Sequence, residues 1–198
     1  MTENHVLKAI RDRTSVFRFK EDPVTDEQLN MVLEAGRWAP SYANSQPWTF
    51  IVVRDDSKRN ALEKVVQRIA LARRGSIGMT SPGIGDAPVV IAVAVDPWRD
   101  SRHYIEAGAI AAQNMALMAG SLGLGMFWAG VFDVEARHRS IEGKIKKLLG
   151  IPKEMRIVAL LPLGVPAYTP KRDEDSRRAD ISEFVRYDSF NNREAEGS

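Results

Sequence analysis

The sequence predicts an α+β fold, a three-layer α/β/α sandwich in which one sheet lies between two layers of helices. Segments with the apolar spacing of helices alternate with short apolar runs along the chain. One of these runs, "PVVIAVAVD" at 88–96, is continuously apolar, as in strands that are buried on both faces. No repeat or linker divides the 198 residues, so we treat residues 1–198 as a single domain.

The N-terminal half is predicted to contain three helices and one strand. The predicted helices span residues 3–12, 25–38 and 55–72, and the predicted strand, "TFIVVR", spans residues 49–54. Thr25 and Gln28 have the spacing of a capping box at the start of the second helix. In the third helix, Leu62, Val65 and Ile69 are three and four residues apart, which predicts one apolar face.

The C-terminal half continues the alternation of strands and helices. The predicted strands span residues 88–96, 126–132 and 155–164, and the predicted helices span residues 101–123 and 135–150. The last helix is predicted to end at Gly150, because glycine followed by Pro152 is a strong stop signal. Residues 73–87 form a long loop rich in glycine and serine, and we expect it to shape a substrate pocket.

Residues 107–132 carry no charged side chain, a length that also suggests a membrane span. Gln113, Asn114 and five glycines argue against a span and predict a helix of small residues, a glycine break and a strand. Such an uncharged helix must be enclosed on nearly all sides. Its own domain or a partner subunit would enclose it, and the residues alone leave both alternatives open.

The composition excludes several classes of function. The chain has no cysteine, which excludes disulfides, thiolate catalysis and cysteine-ligated metals. Its net charge of +2 is too small to indicate nucleic acid binding. The N-terminus starts polar, without a hydrophobic leader, so we expect a cytoplasmic protein that does not engage a membrane. His5, His103 and His138 lack the spacing of metal ligands, so no metal site is predicted.

The stretch "PSYANSQPW" at 40–48 connects a predicted helix to a predicted strand. Pro40 and Pro47 exclude a helix interior, because proline lacks the amide hydrogen and restricts the residue before it. The hydroxyls and amides between them fit a solvated turn. They also fit a rigid loop that aims hydrogen-bonding groups at a ligand.

Two basic segments carry the groups that hold a phosphate. Arg13, Thr14 and Ser15 supply a guanidinium and two hydroxyls, although the same residues also suit a solvated edge. Arg177 and Arg178 in the charged tail would join such a site only if the fold brought them near Arg13.

The glycine-rich stretch "GSLGLGMFWAG" at 120–130 does not match a dinucleotide fingerprint, because its glycine spacing is wrong and a strand follows instead of a helix. Its glycines are predicted to end a helix and to let a strand backbone approach a ligand closely, for example a flat ring. The sequence has no serine elbow, and no pair of catalytic carboxylates can be nominated. An enzyme with this sequence would therefore take its chemistry from a cofactor.

Three blocks together resemble the nitroreductase family of FMN-dependent oxidoreductases. The blocks are "RTSVFRF" at 13–19, "LEAGRWAPSYANSQPWTFIVV" at 33–53 and "GAIAAQNMALMAGSLGLGMFWAG" at 108–130, the last followed by "LLPLGVP" at 160–166. Their order is similar to that of the family. The resemblance implies a sandwich of the nitroreductase type, an intertwined homodimer, and a tail from about residue 166 that contacts the other subunit.

The resemblance also implies cofactors and site residues. FMN would bind at the dimer interface, NADH or NADPH would donate electrons, and a nitroaromatic or quinone would accept them in a ping-pong sequence. The flavin would carry the chemistry, with no catalytic side chain, and Trp48 would anchor the 40–48 loop in the core. By the resemblance, the residues that contact FMN are Arg13, Thr14, Ser15, Ser41, Asn44, Gln46, Ala129, Gly130 and one or both of Arg177 and Arg178.

The sequence departs from the family pattern at two of these positions. Thr14 stands where the family has a second arginine, and Ala129 stands where it often has a glutamate. Two alternatives stay open beside the main expectation. One is a different flavin reaction on the same fold, such as flavin fragmentation or reductive dehalogenation, and the other is a protein that holds FMN without turnover.

Overall fold

The computed structural model describes residues 4–72, 83–132, 140–169 and 178–190. The helices are α1 (His5–Asp12), α2 (Asp26–Arg37), α3 (Asp56–Ala72), α4 (Tyr104–Ser121) and α5 (Ile141–Leu149). The strands are β1 (Trp48–Val53), β2 (Val89–Val95), β3 (Gly125–Met126), β4 (Ala129–Gly130) and β5 (Arg156–Gly164). Most of the predicted 73–87 loop, the start of the helix predicted from residue 135, His138 and Arg177 lie outside the described residues.

These strands form one sheet, in which β1, β2 and β5 are neighbours and β3 and β4 both pair with the outer side of β5. All of these pairings are antiparallel. Every residue of β2 is buried, which confirms the buried strand predicted at 88–96. A strand buried on both faces requires a layer of helices on each side of the sheet.

Side chains of β2 alternate between two apolar cores on opposite faces of the sheet. Val90 and Ala92 pack in the core that contains α3 and α5, whereas Ile91 and Val93 pack in the core that contains α2 and α4. This alternation follows from the period of two in a strand. Helix α1 packs on α4. The predicted three-layer sandwich is therefore confirmed.

Local side-chain contacts set the helix ends. The Thr25 hydroxyl accepts the Gln28 N–H at 3.2 Å and the Thr25 N–H donates to Gln28 Oε1 at 3.1 Å, which confirms the predicted capping box. Helix α5 ends at Gly150, whose φ of 70° is one that glycine adopts without strain. Helix α4 begins later than predicted, because the Asp100 carboxylate stabilises a separate turn in front of Tyr104.

The single strand predicted at 126–132 is wrong. The chain there forms two short strands, β3 and β4, that pair with successive parts of β5. Between them, Phe127 is buried with its ring centroid 4.8 Å from that of Phe17, while Trp128 is exposed. Packing of Phe127 against the N-terminal segment coincides with the interruption of the strand.

Helix α4 lies close to the sheet because its contact residues are small. A Cβ at Gly108 would lie 2.7 Å from Val158 Cγ2 and 2.8 Å from Val95 Cγ1, so only glycine permits this approach. The opposite side of α4 is open among the described residues, where Glu106, Ile110 and Gln113 are exposed. None of the helices in the described ranges combines the length and apolar character that a membrane span requires.

Candidate cofactor site

The segment that follows α1 is extended and lies between two parts of the sheet edge. The Val16 N–H donates to the Met126 carbonyl of β3 at 3.2 Å, and the Ala167 N–H donates to the Arg18 carbonyl at 3.0 Å. Ser15 forms a bridge with Met126 as well. These contacts hold residues 13–19 against β3 on one side and against the chain that leaves β5 on the other.

Arg13 and Thr14 line a cavity of about 370 Å³ at the end of α4. Gly120 of α4, Met126 of β3 and Pro166 form other parts of its wall. Arg13 is half-buried, and none of the described residues forms a salt bridge with it. A half-buried guanidinium beside a cavity, with hydroxyl groups next to it in sequence, suits a phosphate group.

Ala129 and Gly130 form β4 at the outer edge of the sheet. Ala129 is buried and pairs with Leu160, whereas Gly130 is exposed and pairs with Ala159. Because β4 follows Met126 by only three residues, it lies about 10 Å along the edge from the Arg13 cavity. An edge strand leaves backbone groups free of the ladder, and a glycine there lets a ligand approach them closely.

The 40–48 connection is a loop ordered by its own hydrogen bonds, although Tyr42, Asn44 and Gln46 are exposed. The Ser41 hydroxyl accepts the Gln46 N–H at 3.0 Å, and the Ser41 carbonyl accepts the Asn44 N–H at 3.1 Å. Ala43, Asn44 and Gln46 have φ angles of 49°, 55° and 45°. Three left-handed residues without a glycine in one short loop store strain, and such strain is characteristic of functional sites.

Trp48 anchors this loop less deeply than expected. Its side chain is half-buried, and its ring stacks on Phe50 with centroids 6.4 Å apart and planes 4° apart. Pro47 is buried, and its carbonyl accepts the Asp96 N–H at 2.8 Å. The loop is therefore held at its C-terminal end by Pro47 and β1 together.

The loop lies at the beginning of α4. The Tyr42 ring lies 5.3 Å from the His103 ring, and a cavity of about 350 Å³ between them is also lined by Ser41, Glu106 and Ile110. The Arg13 cavity lies at the other end of α4, beside Gly120. At a rise of 1.5 Å per residue, the two ends are about 25 Å apart. Within one chain, the residues of the 40–48 loop and those of the Arg13 segment therefore do not surround one small ligand.

The tail arginines are only partly located. Arg178 is exposed and is not among the residues that line the Arg13 cavity, and Arg177 lies outside the described residues. The described tail also exposes Ile181, Phe184 and Phe190, each at more than seven-tenths of its full surface. Several exposed apolar side chains within one short segment are typical of a surface that packs against another protein.

Sequence reasoning missed Asp100, a buried carboxylate behind the loop. The His103 and Arg102 N–H groups donate to its Oδ1 at 2.8 and 3.1 Å. These donors, with the His103 bond as the main cause, hold the pKa of Asp100 below its usual value. An aspartate shortly after a buried strand and before a helix was the only available signal.

Comparisons with known proteins agree on one family. A sequence model described as the Nitroreductase family matches residues 10–165. A protein of Methanothermobacter thermautotrophicus, named as a candidate NADH dehydrogenase/NAD(P)H nitroreductase, is 35% identical over 83% of this chain and 79% of its own. A candidate nitroreductase from Desulfovibrio desulfuricans, solved in complex with FMN, is 32% identical, with a TM-score of 0.71 over 96% of this chain and 99% of its own.

More distant relatives have other names. A 5,6-dimethylbenzimidazole synthase of Rhodospirillum rubrum is 27% identical over 78% of both chains. An iodotyrosine deiodinase of Nematostella vectensis is 26% identical over 81% of this chain and 66% of its own.

Proposed function

Because this chain belongs to the nitroreductase family, we propose that it is an FMN-dependent oxidoreductase that takes two electrons from NADH or NADPH and reduces nitroaromatic or quinone acceptors. The observation that carries this proposal is the Arg13 cavity beside β4, which pairs with β5 alone among the described residues. It combines a cation with no described ion-pair partner and a short edge strand, and Met126 in the cavity wall lies about 10 Å along the sheet from Ala129. The match to a relative solved with FMN supports it.

The chain's residues fit the two ends of FMN. Arg13 would bind the phosphate through charge-assisted hydrogen bonds, with Thr14 and Ser15 as hydroxyl partners and with Arg177 or Arg178 as a second cation. The backbone of Ala129 and Gly130 would donate to the ring edge at N5, and Gly130 leaves room for the ring because it has no side chain. When bound, FMN supplies hydride chemistry at N5, which suits a ping-pong exchange of donor and acceptor.

The loop would contact FMN in the other subunit of a homodimer. Ser41 lines the cavity at the beginning of α4 and Arg13 lines the cavity at its end, and the helical rise separates these two ends by about 25 Å. Asn44 and Gln46 follow Ser41 in the same loop. In a twofold dimer with α4 helices packed antiparallel, the beginning of one α4 meets the end of the other. The loop of one protomer would then lie over the Arg13 cavity of its partner, and each dimer would hold two complete sites.

The open surface of α4 supports this arrangement. Glu106, Ile110 and Gln113 lie on one side of the helix and are accessible in the single chain. Beside them, α1, α2 and α4 form an apolar groove of about 1060 Å³ lined in part by Met31 and Leu117. The exposed tail side chains would cover part of the partner, as the family resemblance implies.

Expression of the chain and its purification with FMN test this proposal. We expect a yellow protein with a flavin spectrum, and steady oxidation of NADH or NADPH that depends on an added nitroaromatic. Comparing the two donors identifies the preferred one. Colourless protein that cannot be reconstituted with FMN would contradict the proposal.

The two alternatives give different results in the same assay. A carrier would hold FMN without oxidising NADH or NADPH faster than free flavin does. An enzyme with another flavin reaction would also oxidise them poorly with nitroaromatics, but would consume flavin itself or release halide from a halogenated phenol. Relatives named 5,6-dimethylbenzimidazole synthase and iodotyrosine deiodinase make these the reactions to compare.

A further inference from the structure

We infer that Asp100 is a positioning residue for the flavin loop, defined as residues 41–46. This inference rests on the proposed function, because it assigns Asp100 to the loop that would contact FMN. Asp100 does not touch the proposed cofactor; it acts through Ser45. Three observations support the assignment: the burial of Asp100, its contacts in front of α4, and the strain in the loop.

Asp100 is anchored to the turn that precedes α4. The residue is only 6% exposed, and its Oδ1 accepts the N–H groups of Arg102 and His103. These bonds stabilise the turn from which α4 starts at Tyr104. One carboxylate oxygen is therefore committed to a rigid part of the fold.

The other oxygen of Asp100 takes no part in these backbone bonds. Neither Asp100 Oδ2 nor the Ser45 hydroxyl, both buried, has a standard hydrogen bond within the described part of the chain. The Ser45 hydroxyl nevertheless lowers the pKa of the Asp100 carboxyl, after the larger effects of the backbone donors. Two buried polar groups without another partner, on segments that Arg99 and Gln46 already connect, are natural partners of one another.

Neighbouring contacts hold the same loop from the same side. The Arg99 guanidinium donates to the Gln46 carbonyl at 3.4 Å, and the Asp96 N–H donates to the Pro47 carbonyl at 2.8 Å. The turn after β2 thus contacts the flavin loop and the proline that follows it. Asp100 is the buried member of this set, and Ser45 stands between the left-handed residues Asn44 and Gln46.

The loop needs such support because its conformation is strained. Ala43, Asn44 and Gln46 lie on both sides of Ser45 and have left-handed φ angles. Strained residues persist only when the surrounding structure over-determines them. Without Asp100, the loop would populate relaxed conformations in which Ser41 and Asn44 no longer point at the flavin.

The test compares four variants of the full chain as FMN-loaded dimers. Asp100→Ala removes the contact, Asp100→Asn keeps an oxygen acceptor for the turn and a polar group toward Ser45, and Ser45→Ala removes the hydroxyl alone. Asp55→Ala is the matched control, because Asp55 accepts the Lys58 N–H at 2.9 Å in front of α3, far from the loop in the fold. The measurements are the FMN dissociation constant, the visible circular dichroism of the bound flavin, and the melting temperature.

We expect Asp100→Ala to weaken FMN binding about tenfold or more and to change the flavin dichroism. Ser45→Ala should weaken binding by a smaller factor, and Asp100→Asn should restore affinity to within about threefold of the original chain. Asp55→Ala should lower the melting temperature without changing either flavin measurement.

Equal FMN affinity and dichroism in Asp100→Ala and the original chain would overturn the inference. An equal loss in Asp55→Ala would also overturn it, because the effect would then be one of general stability. If Asp100→Ala does not fold, Ser45→Ala decides: unchanged affinity and dichroism would overturn the inference. Failure of the original chain itself to bind FMN is a different result, and it contradicts the proposed function.

Discussion

Gly83 lies directly against the backbone carbonyl of Phe17: a Cβ at position 83 would be 2.0 Å from the Phe17 oxygen. The φ angle of Gly83 is also 70°, in the left-handed region. Phe17 belongs to the extended segment that carries Arg13. The chain just before β2 therefore packs on the backbone of the segment at residues 13–19. No residue type other than glycine fits at position 83.

Replacement of Gly83 is expected to destabilise the fold. Gly83→Ala combines left-handed strain with a collision against a backbone atom, and we expect it to lower the free energy of unfolding by about 2–4 kcal/mol. Gly150→Ala is the matched control, because Gly150 has the same φ of 70° but a Cβ there would meet no atom within 4 Å. It should cost about 1–2 kcal/mol. Urea unfolding measures both, and equal losses would contradict the predicted collision.

Arg13→Ala is expected to weaken FMN binding. Loss of a charge-assisted contact to the phosphate should cost about 1.5–3 kcal/mol, which is roughly a tenfold to hundredfold increase in the dissociation constant. Arg11→Ala removes an exposed arginine from the last turn of α1 and serves as the control. Fluorescence titration with FMN checks the prediction. Unchanged flavin affinity in Arg13→Ala would remove Arg13 from the site.

The buried Glu142 carboxylate holds α5 to the sheet. It is 1% exposed, and it accepts Arg156 Nε at 2.8 Å, Arg156 Nη2 at 2.9 Å and the Ile157 N–H at 3.0 Å. Glu142→Ala leaves the half-buried Arg156 charge without this carboxylate, so we expect a loss of about 3–5 kcal/mol in unfolding free energy. Glu154→Ala, at an exposed position, should change it by less than about 0.5 kcal/mol. An equally small change in unfolding free energy in Glu142→Ala and Glu154→Ala would contradict the prediction, because it would show that the Glu142–Arg156 pair contributes little to stability.

Ile110→Glu is expected to prevent formation of the proposed homodimer. Ile110 is 38% exposed on the open side of α4, and a carboxylate at a packed interface would be desolvated without a partner. Lys144→Glu introduces the same side chain on the exposed side of α5, in the opposite layer, and should leave the dimer intact. Light scattering after size exclusion reports the mass. An Ile110→Glu protein that remains a dimer with full FMN content would contradict the antiparallel α4 arrangement.

The acid sensitivity of α2 is expected to depend on Glu34. Its carboxylate accepts the Arg37 guanidinium at 2.5 and 2.7 Å and the Trp38 indole N–H at 2.7 Å. The Arg37 bond, followed by the Trp38 bond, lowers the pKa of Glu34 from 4.5 to about 2. Because the folded pKa is depressed, the stabilisation is fully present above pH 4.5 and is lost as the pH falls toward 2.

Melting temperatures measured as a function of pH check this prediction. Glu34→Gln should melt below the original chain at neutral pH, and the difference should narrow as the pH falls through that window. Glu27→Gln removes a carboxylate from the same helix without removing these bonds. The difference between its melting temperature and that of the original chain should therefore not narrow as the pH falls. A constant difference between Glu34→Gln and the original chain across the whole window would contradict the assigned role of Glu34.

Much of the fold was predictable because its signals are local. The Thr25–Gln28 capping box and the Gly150 stop involve residues that are near neighbours in the chain, so their effect does not depend on the rest of the molecule. The apolar run of β2 also required helices on both faces, whatever their order. The family resemblance depended on the same kind of contiguous segment.

The tertiary structure decided the relationships between distant segments. It placed Arg13 at one end of α4 and the 41–46 loop at the other, it divided the predicted 126–132 strand where Phe127 packs on Phe17, and it brought Arg99 to the Gln46 carbonyl. Each of these depends on contacts between residues far apart in the chain, whose spacing in sequence carries no information about their distance in space. The sequence by itself therefore determined the long helices and strands and the groups that suit a phosphate and a ring. Packing of the helices on the sheet divided the 126–132 strand and placed Arg13 and the 41–46 loop at opposite ends of one helix.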